Sequence, residues 1–256
     1  MIIASDSEKR ALIEAGKRLS FVLHACAMRV APGVSSEELD AYAEELIRTQ
    51  GDEPAFLGYT PHGATRPYPA TLCVSVNDEI VHGIPNEVPK ILKEGDIVGL
   101  DLGLIHEGIV VDSAVTVAVG KTDSPSESLM RSTRESLEAG IAAARAGNRV
   151  GDISHAIEQV LRRDGYAVVK ALGGHGVGGK VHEEPFIPNA GRAGTGDILR
   201  EGMVLALEPI ATAGKAAVVL APDGYTYRTK DGSRSAHFEH TILVGKGEAL
   251  VVTASL

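Results

Sequence analysis

Two neighbouring runs rich in Val, Ile and Leu, residues 97–104 (IVGLDLGL) and 109–117 (IVVDSAVTV), each carry one aspartate near the middle. Runs of this kind read as buried β-strands. The four residues between them, Ile105-His106-Glu107-Gly108, suit a hairpin loop. With that loop Leu104 pairs with Ile109, and the numbers of paired residues sum to 213, so Asp101 stands opposite Asp112 on one face. Directly opposed Cβ atoms in an antiparallel pair lie about 4.5–5.5 Å apart. Two carboxylates placed so in apolar strands repel strongly unless something positive lies between them, either a shared proton or a metal ion. The alternative is that one aspartate faces water or caps a turn.

Three further segments set polar groups among apolar or small residues. Residues 173–185 (GGHGVGGKVHEEP) crowd five glycines around His175 and His182. That composition excludes a stable helix, reads as a loop, and lets backbone and ligand approach closely. Imidazole there suits metal ligation or acid–base work. The patterns of a dinucleotide or phosphate loop are missing. Glu208, in residues 202–209 (GMVLALEP), and Glu239, in residues 235–244 (SAHFEHTILV), each sit in a strand-like apolar run. A buried, unpaired glutamate is costly, so each needs a cation or a proton. Asp101, Asp112, Glu208 and Glu239, with His175 as a nitrogen donor, fit a two-ion site for Mn, Fe, Co or Zn better than a cysteine-rich zinc site. Two ions about 3.5–4 Å apart would activate a bridging water.

The rest of the chain reads as two rounds of helices followed by strands. Ser5-x-x-Glu8 is a capping box that opens a helix with Leu12, Ala15, Leu19, Val22, Leu23 and Cys26 on one stripe, ended by Pro32-Gly33. Ser35-x-x-Glu38 opens a second helix, stopped by Gly51. Strand-like residues 71–82 and 96–118 follow. After Gly120 the cycle restarts, with a long helix from Ser124 to about Ala146 and a shorter one from Asp152 to Arg163, stopped by Gly165. A shift of 114 residues superposes Gly33 on Gly147, Leu39 on Ile153, Glu44 on Glu158, Leu46 on Val160, Ile47 on Leu161, Arg48 on Arg162 and Gly51 on Gly165. Any two amphipathic helices would align this well; the alternative reading is a duplicated helix–helix–sheet unit with a site between its halves. Helices set apart from mostly antiparallel strands predict an α+β fold. No linker interrupts residues 1–256, which predicts a single catalytic domain with halves at about 5–120 and 121–252.

Composition narrows the partners. The chain carries 25 Lys and Arg against 34 Asp and Glu, a net charge of -9, with no dense basic cluster. That argues against nucleic acid, which wants a basic stripe. The apolar stretch from Leu19 to Met28 is too short to span a bilayer, and no secretory signal precedes it. Cys26 and Cys73 form no zinc-type pair, so free thiols in a reducing, cytoplasmic setting are expected.

Val81-His82-Gly83-Ile84-Pro85, the 11-residue spacing of Asp101 and Asp112, His175-x6-His182-Glu183-Glu184-Pro185, Gly202-Met203 through Glu208-Pro209, and Phe238-Glu239-His240-Thr241-Ile242 occur in one order. The ordered set resembles the methionine aminopeptidases of the bacterial type I form, from about residue 5 to residue 252. The resemblance implies the pita-bread fold, two pseudo-symmetric halves of antiparallel sheet covered by helices, with a dinuclear metal site between them. It implies that Asp101, Asp112, His175, Glu208 and Glu239 hold two divalent ions (Co, Mn, Fe or Zn), with Asp112 and Glu239 bridging. His82 and His182 match two histidines that contact substrate, and Glu208 matches a residue that shuttles protons. Phe56, Tyr59, Tyr68, Cys73 and Tyr225 fall where the family lines its methionine pocket; Cys73 also suits a small buried hydrophobe.

The implied reaction removes N-terminal methionine from nascent proteins and peptides with a small second residue. The implied setting is a cytoplasmic monomer with transient ribosome contact and no direct nucleic-acid or membrane partner. Two departures stand out. The family usually has Gly before its second aspartate and Thr-Ser after it, where this chain has Val111-Asp112-Ser113-Ala114. The segment from Gly58 to Pro69 is longer than the family's short loop by about six residues, at a place where loops tolerate insertion. Proline-directed peptidases of the same fold usually carry an extra N-terminal domain, for which the 100 residues before Asp101 leave no room. The type II enzymes carry a helical insertion between the last two glutamates, where this chain has only 30 residues between Glu208 and Glu239. Non-catalytic relatives typically lose ligands, and all five are present here.

Overall fold

A computed structural model describes residues 1–254. The first half runs α1 (Asp6–Arg29), α2 (Ser36–Thr49), β1 (Glu53–Pro54), β2 (Leu72–Val76), β3 (Glu79–Val81), β4 (Ile97–His106) and β5 (Ile109–Ala118). The second begins with α3 (Ser124–Ala143), α4 (Val150–Arg163), β6 (Ala167–Val168), β7 (Gly173–Gly176), β8 (Glu183–Pro188) and β9 (Val204–Leu207). It ends with β10 (Ile210–Thr212), β11 (Val218–Leu220), β12 (Tyr227–Thr229), β13 (Ser235–His237), β14 (Glu239–Leu243) and β15 (Leu250–Val251).

Local signals place the helices. Ser5 and Ser35 each accept from the backbone of a glutamate three residues on, whose side chain bonds back, so both capping boxes form. Two boundaries shift from the sequence reading. Helix α3 starts at Ser124 as read, with Asp123 as its cap accepting from the Ser126 N–H, but ends at Ala143 instead of about Ala146. Helix α4 starts at Val150, because Asp152 is its third residue and bonds back to the Arg149 N–H.

The helix pairs repeat bond for bond. Gly33 N–H donates to Leu92 O and Gly147 N–H to Leu199 O; Leu92 N–H returns to Val34 O and Leu199 N–H to Asn148 O. Asp52 N–H donates to Ile47 O and, 114 residues on, Tyr166 N–H donates to Leu161 O. Leu39, Ala43 and Ile47 are buried, as are their counterparts Ile153, Ile157 and Leu161. Each pair covers its own core. Leu12, Leu19 and Ile47 pack with Leu72, Leu100 and Leu104, whereas Ile153 and Leu161 pack with Leu205, Leu207 and Ile242.

Both halves meet in one nine-stranded sheet ordered β1-β4-β5-β14-β9-β7-β8, with β2 also on β4 and β15 on β14. Its pairings are antiparallel. Its β4–β5 hairpin corrects the expected register. The turn is Glu107-Gly108, both at positive φ (48° and 78°), so the strands extend to His106 and Ile109. A two-residue turn of this hand matches strand twist, but Glu-Gly signals it less plainly than Asn-Gly. Asp101 therefore faces Ala114, and Asp112 faces Gly103. A shift of two keeps both aspartates on one face, as diagonal rather than direct neighbours.

Residues 173–176 are a strand and not a loop. Glycine is needed there because the neighbouring backbones are close: a Cβ on Gly174 would stand 2.3 Å from Ala206 O, and one on Gly176 2.3 Å from Glu184 O. Gly174→Ala must push β7 from β9, and overpacking of this kind costs about 1–3 kcal/mol. Urea unfolding should show that loss; an unchanged midpoint would contradict the close packing.

Candidate metal centre and substrate cavity

Five successive strands of the large sheet bring five side chains together. Asp101 stands on β4, Asp112 on β5, Glu239 on β14 and His175 on β7, while Glu208 follows the last residue of β9. Registers align them: Asp101 faces Ala114, Ala114 faces Glu239, and His175 faces Ala206. Hydroxyls hold the two halves in place. Thr241 Oγ1 accepts the Asp112 N–H at 2.9 Å and donates to Asp112 O at 2.8 Å. Ser113 Oγ donates to Glu239 O at 2.7 Å, a role for the serine that stands in the departed family position.

The electrostatics of this cluster call for positive charge. Asp101, Asp112 and Glu239 are buried, and Glu208 nearly so. Burial pushes the Asp101 carboxyl up to about 7. Burial first, and the neighbouring carboxylates second, hold Asp112, Glu208 and Glu239 well above their usual range. Asp101 Oδ1, Asp112 Oδ1 and Glu239 Oε1 are buried with no hydrogen-bond partner. Donor atoms of Asp112, His175 and Glu239 lie within 4.8 Å of one another, as do those of Asp101, His237 and Glu239. Oxygen-rich donors with orphaned lone pairs and imidazole nitrogen fit divalent ions.

Burial favours the neutral form of the site's histidines. His175 Nδ1 donates to Gly176 O at 2.9 Å, which leaves the Nε2 lone pair for the cluster. Burial is the first cause that lowers His175 to about 3 and His82 to about 4, with His182 lowering both further; burial also lowers His182. The His175 and His182 rings meet edge to face, with centroids 4.4 Å apart. His82 has a left-handed backbone (φ 57°), rare for a residue with a side chain and enriched at functional sites.

A cavity opens beside the carboxylates. All the sequence-predicted pocket residues line it: Phe56, Tyr59, Tyr68, Cys73 and Tyr225, with His82 and His182. Cys73 is buried and free, paired across to Asp101, with its thiol pushed well up by burial. Tyr59 Oη and His182 Nδ1 are 2.9 Å apart. The extra segment 60–67 supplies Pro61 to the cavity wall, a residue the sequence reading missed. Arg66 clamps that segment. Its guanidinium pairs with Glu87, donates to Asp223 O at 3.0 Å and lies over the Tyr225 ring. Val181, also in the cavity wall, and His237 were missed too; for His237 its place two before Glu239, on the same strand face, was the available signal.

Raised carboxyl pKa values make a stability prediction. A carboxyl whose folded pKa exceeds its unfolded value binds more protons when folded. Its contribution is present in acid and is lost as pH rises from 3.8 through about 7 for Asp101. The buried histidines, with folded pKa values lowered to about 3 and 4, change stability in the opposite direction over the same range, so the carboxyl contribution is read as a difference. Metal-free Asp101→Asn, which removes one raised carboxyl, should gain thermal stability relative to metal-free wild-type protein between about pH 5 and pH 7. Calorimetry that finds the difference between the two constant across that range would contradict the cluster electrostatics.

The chain matches the model of metallopeptidase family M24 over residues 10–246. It is 42% identical over 255 residues to a methionine aminopeptidase of Aquifex aeolicus, covering 97% of each chain. It is 45% identical to methionine aminopeptidase 1 of Mycobacterium tuberculosis, covering 94% of this chain and 90% of the relative. The crystal structure of a Thermotoga maritima methionine aminopeptidase superposes with TM-score 0.94 at 42% identity, with both chains fully covered. The architecture is thus the pita-bread fold. A prolidase of Pyrococcus horikoshii shares that fold alone, with TM-score 0.74 at 22% identity, and this chain covers 64% of it. By its family model, its relatives and its carboxylate-lined sheet, the chain belongs to metallopeptidase family M24.

Proposed function

We propose that this protein is a metal-dependent methionyl aminopeptidase, one catalytic unit of two repeated halves that hydrolyses the first peptide bond of chains starting with methionine before a small residue. One observation carries the reading: an apolar cavity opens directly onto five donors drawn from both halves. The methionine aminopeptidases of similar sequence and structure support it.

Asp101, Asp112, His175, Glu208 and Glu239 would hold two divalent ions, with Asp112 and Glu239 shared; Co, Mn, Fe and Zn all suit this donor set. When bound, the ions supply Lewis acidity and an activated water at neutral pH. The chain's own residues do the rest. Phe56, Tyr59, Tyr68, Cys73 and Tyr225 seat the methionine side chain. His182, neutral and oriented by Tyr59, donates to the scissile carbonyl oxygen as charge develops there. His82 contacts the scissile amide. Glu208 would take the proton that the activated water releases and pass it to the leaving amine. A closed side-chain pocket leaves little space beside it, which restricts the second residue to Gly, Ala, Ser, Thr, Pro or Val. The buried free thiols support a cytoplasmic setting, where the protein would act as a monomer on nascent chains in transient contact with the ribosome.

Release of methionine from Met-Ala-Ser tests the reading. Exhaustive chelation should abolish it, and Co, Mn or Fe should restore it; full activity in metal-free protein would refute the proposal. His182→Ala should keep both ions, counted by calorimetric titration, and lower kcat/KM about a hundredfold, roughly 3 kcal/mol of transition-state stabilisation. Loss of bound metal in that variant would make His182 a ligand instead.

A further inference from the structure

The family resemblance assigns one imidazole to the carboxylate cluster, but the structure places a second one against it. His237 ends β13 with its side chain on the face that carries Glu239. It is 3% exposed, and its Nε2 has no hydrogen-bond partner. Its backbone has no freedom to turn away. His237 N–H donates to Thr116 Oγ1 at 2.9 Å, Thr116 Oγ1 donates to His237 O at 2.7 Å, and His237 pairs with Ile210 on the other side.

The position of Nε2 matches that of the imidazole already assigned. His175 Nε2 lies 3.6 Å from Glu208 Oε1 and 4.0 Å from Asp112 Oδ2. His237 Nε2 lies 3.5 Å from Glu239 Oε2 and 3.9 Å from Glu208 Oε2. Two donors bonded to one ion at about 2.1 Å stand roughly 3–4 Å apart, so both histidines keep the spacing of co-ligands. A hydrogen bond to a carboxylate would be shorter, near 2.7–2.9 Å. Among the described residues, the two geometric groups able to hold an ion share Glu239 and divide the rest: Asp112 with His175, and Asp101 with His237.

We propose that His237 is a sixth protein ligand, giving the ion on the Asp101 side its own nitrogen donor. The inference rests on the two-ion reading above. Each ion then has one imidazole, and the carboxylates of Asp112, Glu208 and Glu239 complete the set between them. Imidazole favours Fe, Co or Zn over Mn, so the Asp101-side position should select against Mn more than an all-oxygen site would.

The test uses the whole enzyme loaded with Co(II). A crystal structure should place His237 Nε2 within about 2.3 Å of the ion beside Asp101. Calorimetric titration should find two ions in the unaltered protein. In His237→Ala and His237→Gln the first ion should bind as before and the second at least about tenfold more weakly, since loss of a ligand costs at least as much as loss of its outer partner. Circular dichroism of each metal-free variant shows whether it is folded. Two ions bound with His237 Nε2 beyond about 3 Å of both would overturn the inference and leave the two-ion reading intact. Wild-type affinity for the second ion in the folded Gln variant would do the same. A single ion in the unaltered protein would overturn both.

Discussion

Four carboxylates crowded on one face of one sheet demand positive charge, and the rest of the molecule is built to meet that demand. Two unit charges 4 Å apart repel by about 4 kcal/mol at an effective dielectric of 20. Asp112 and Glu239 each feel more than one such neighbour. The cluster is tolerable as a set of protonated acids or as a cage for cations, and not as four bare anions. Burial raises the cost of the bare state, so the same apolar packing that stabilises the sheet makes its centre a strong site for divalent ions.

That centre lies across a seam. The hairpin of β4 and β5 brings two aspartates from the first half, and β7, β9 and β14 bring the histidine and two glutamates from the second. The ladder joining them is short, with Glu239 facing Ala114 and His240 facing Ser113. Side-chain hydroxyls extend it: Ser113 to Glu239 O, Thr116 to His237 O, and Thr241 to both ends of Asp112. Buried, hydrogen-bonded hydroxyls are directional where apolar contacts are not. They set the strand offset, and with it the spacing of the carboxylates.

Much of this was legible in the chain itself because it follows from local rules. Capping boxes at Ser5 and Ser35 marked helix starts, and the recurrence of Gly33 and Gly51 at Gly147 and Gly165 marked the repeat. An acid inside an apolar strand run announced the cluster, since few other arrangements tolerate it. What stayed hidden depends on partners distant in sequence. The Glu107-Gly108 turn moved the register of Asp101 by two, although the shared face survived because side chains alternate with period two. The glycines at 173–176 read as a loop because the backbones crowding them, from β8 and β9, are invisible in their own segment. His237 was in plain view, two residues before Glu239, but only the fold shows that its Nε2 is left without a partner.

The clamped segment around Arg66 divides the molecule's tasks. It reaches the cavity through Pro61 and is fastened to Glu87, Asp223 and Tyr225, none of which stands among the clustered donors. Lengthening such a surface loop adds little closure entropy. The rim can therefore be reshaped while the strands beneath it stay still. Which side chain is admitted and how the bond is broken become separately adjustable properties, and a chain of this family can change its diet without rebuilding its teeth.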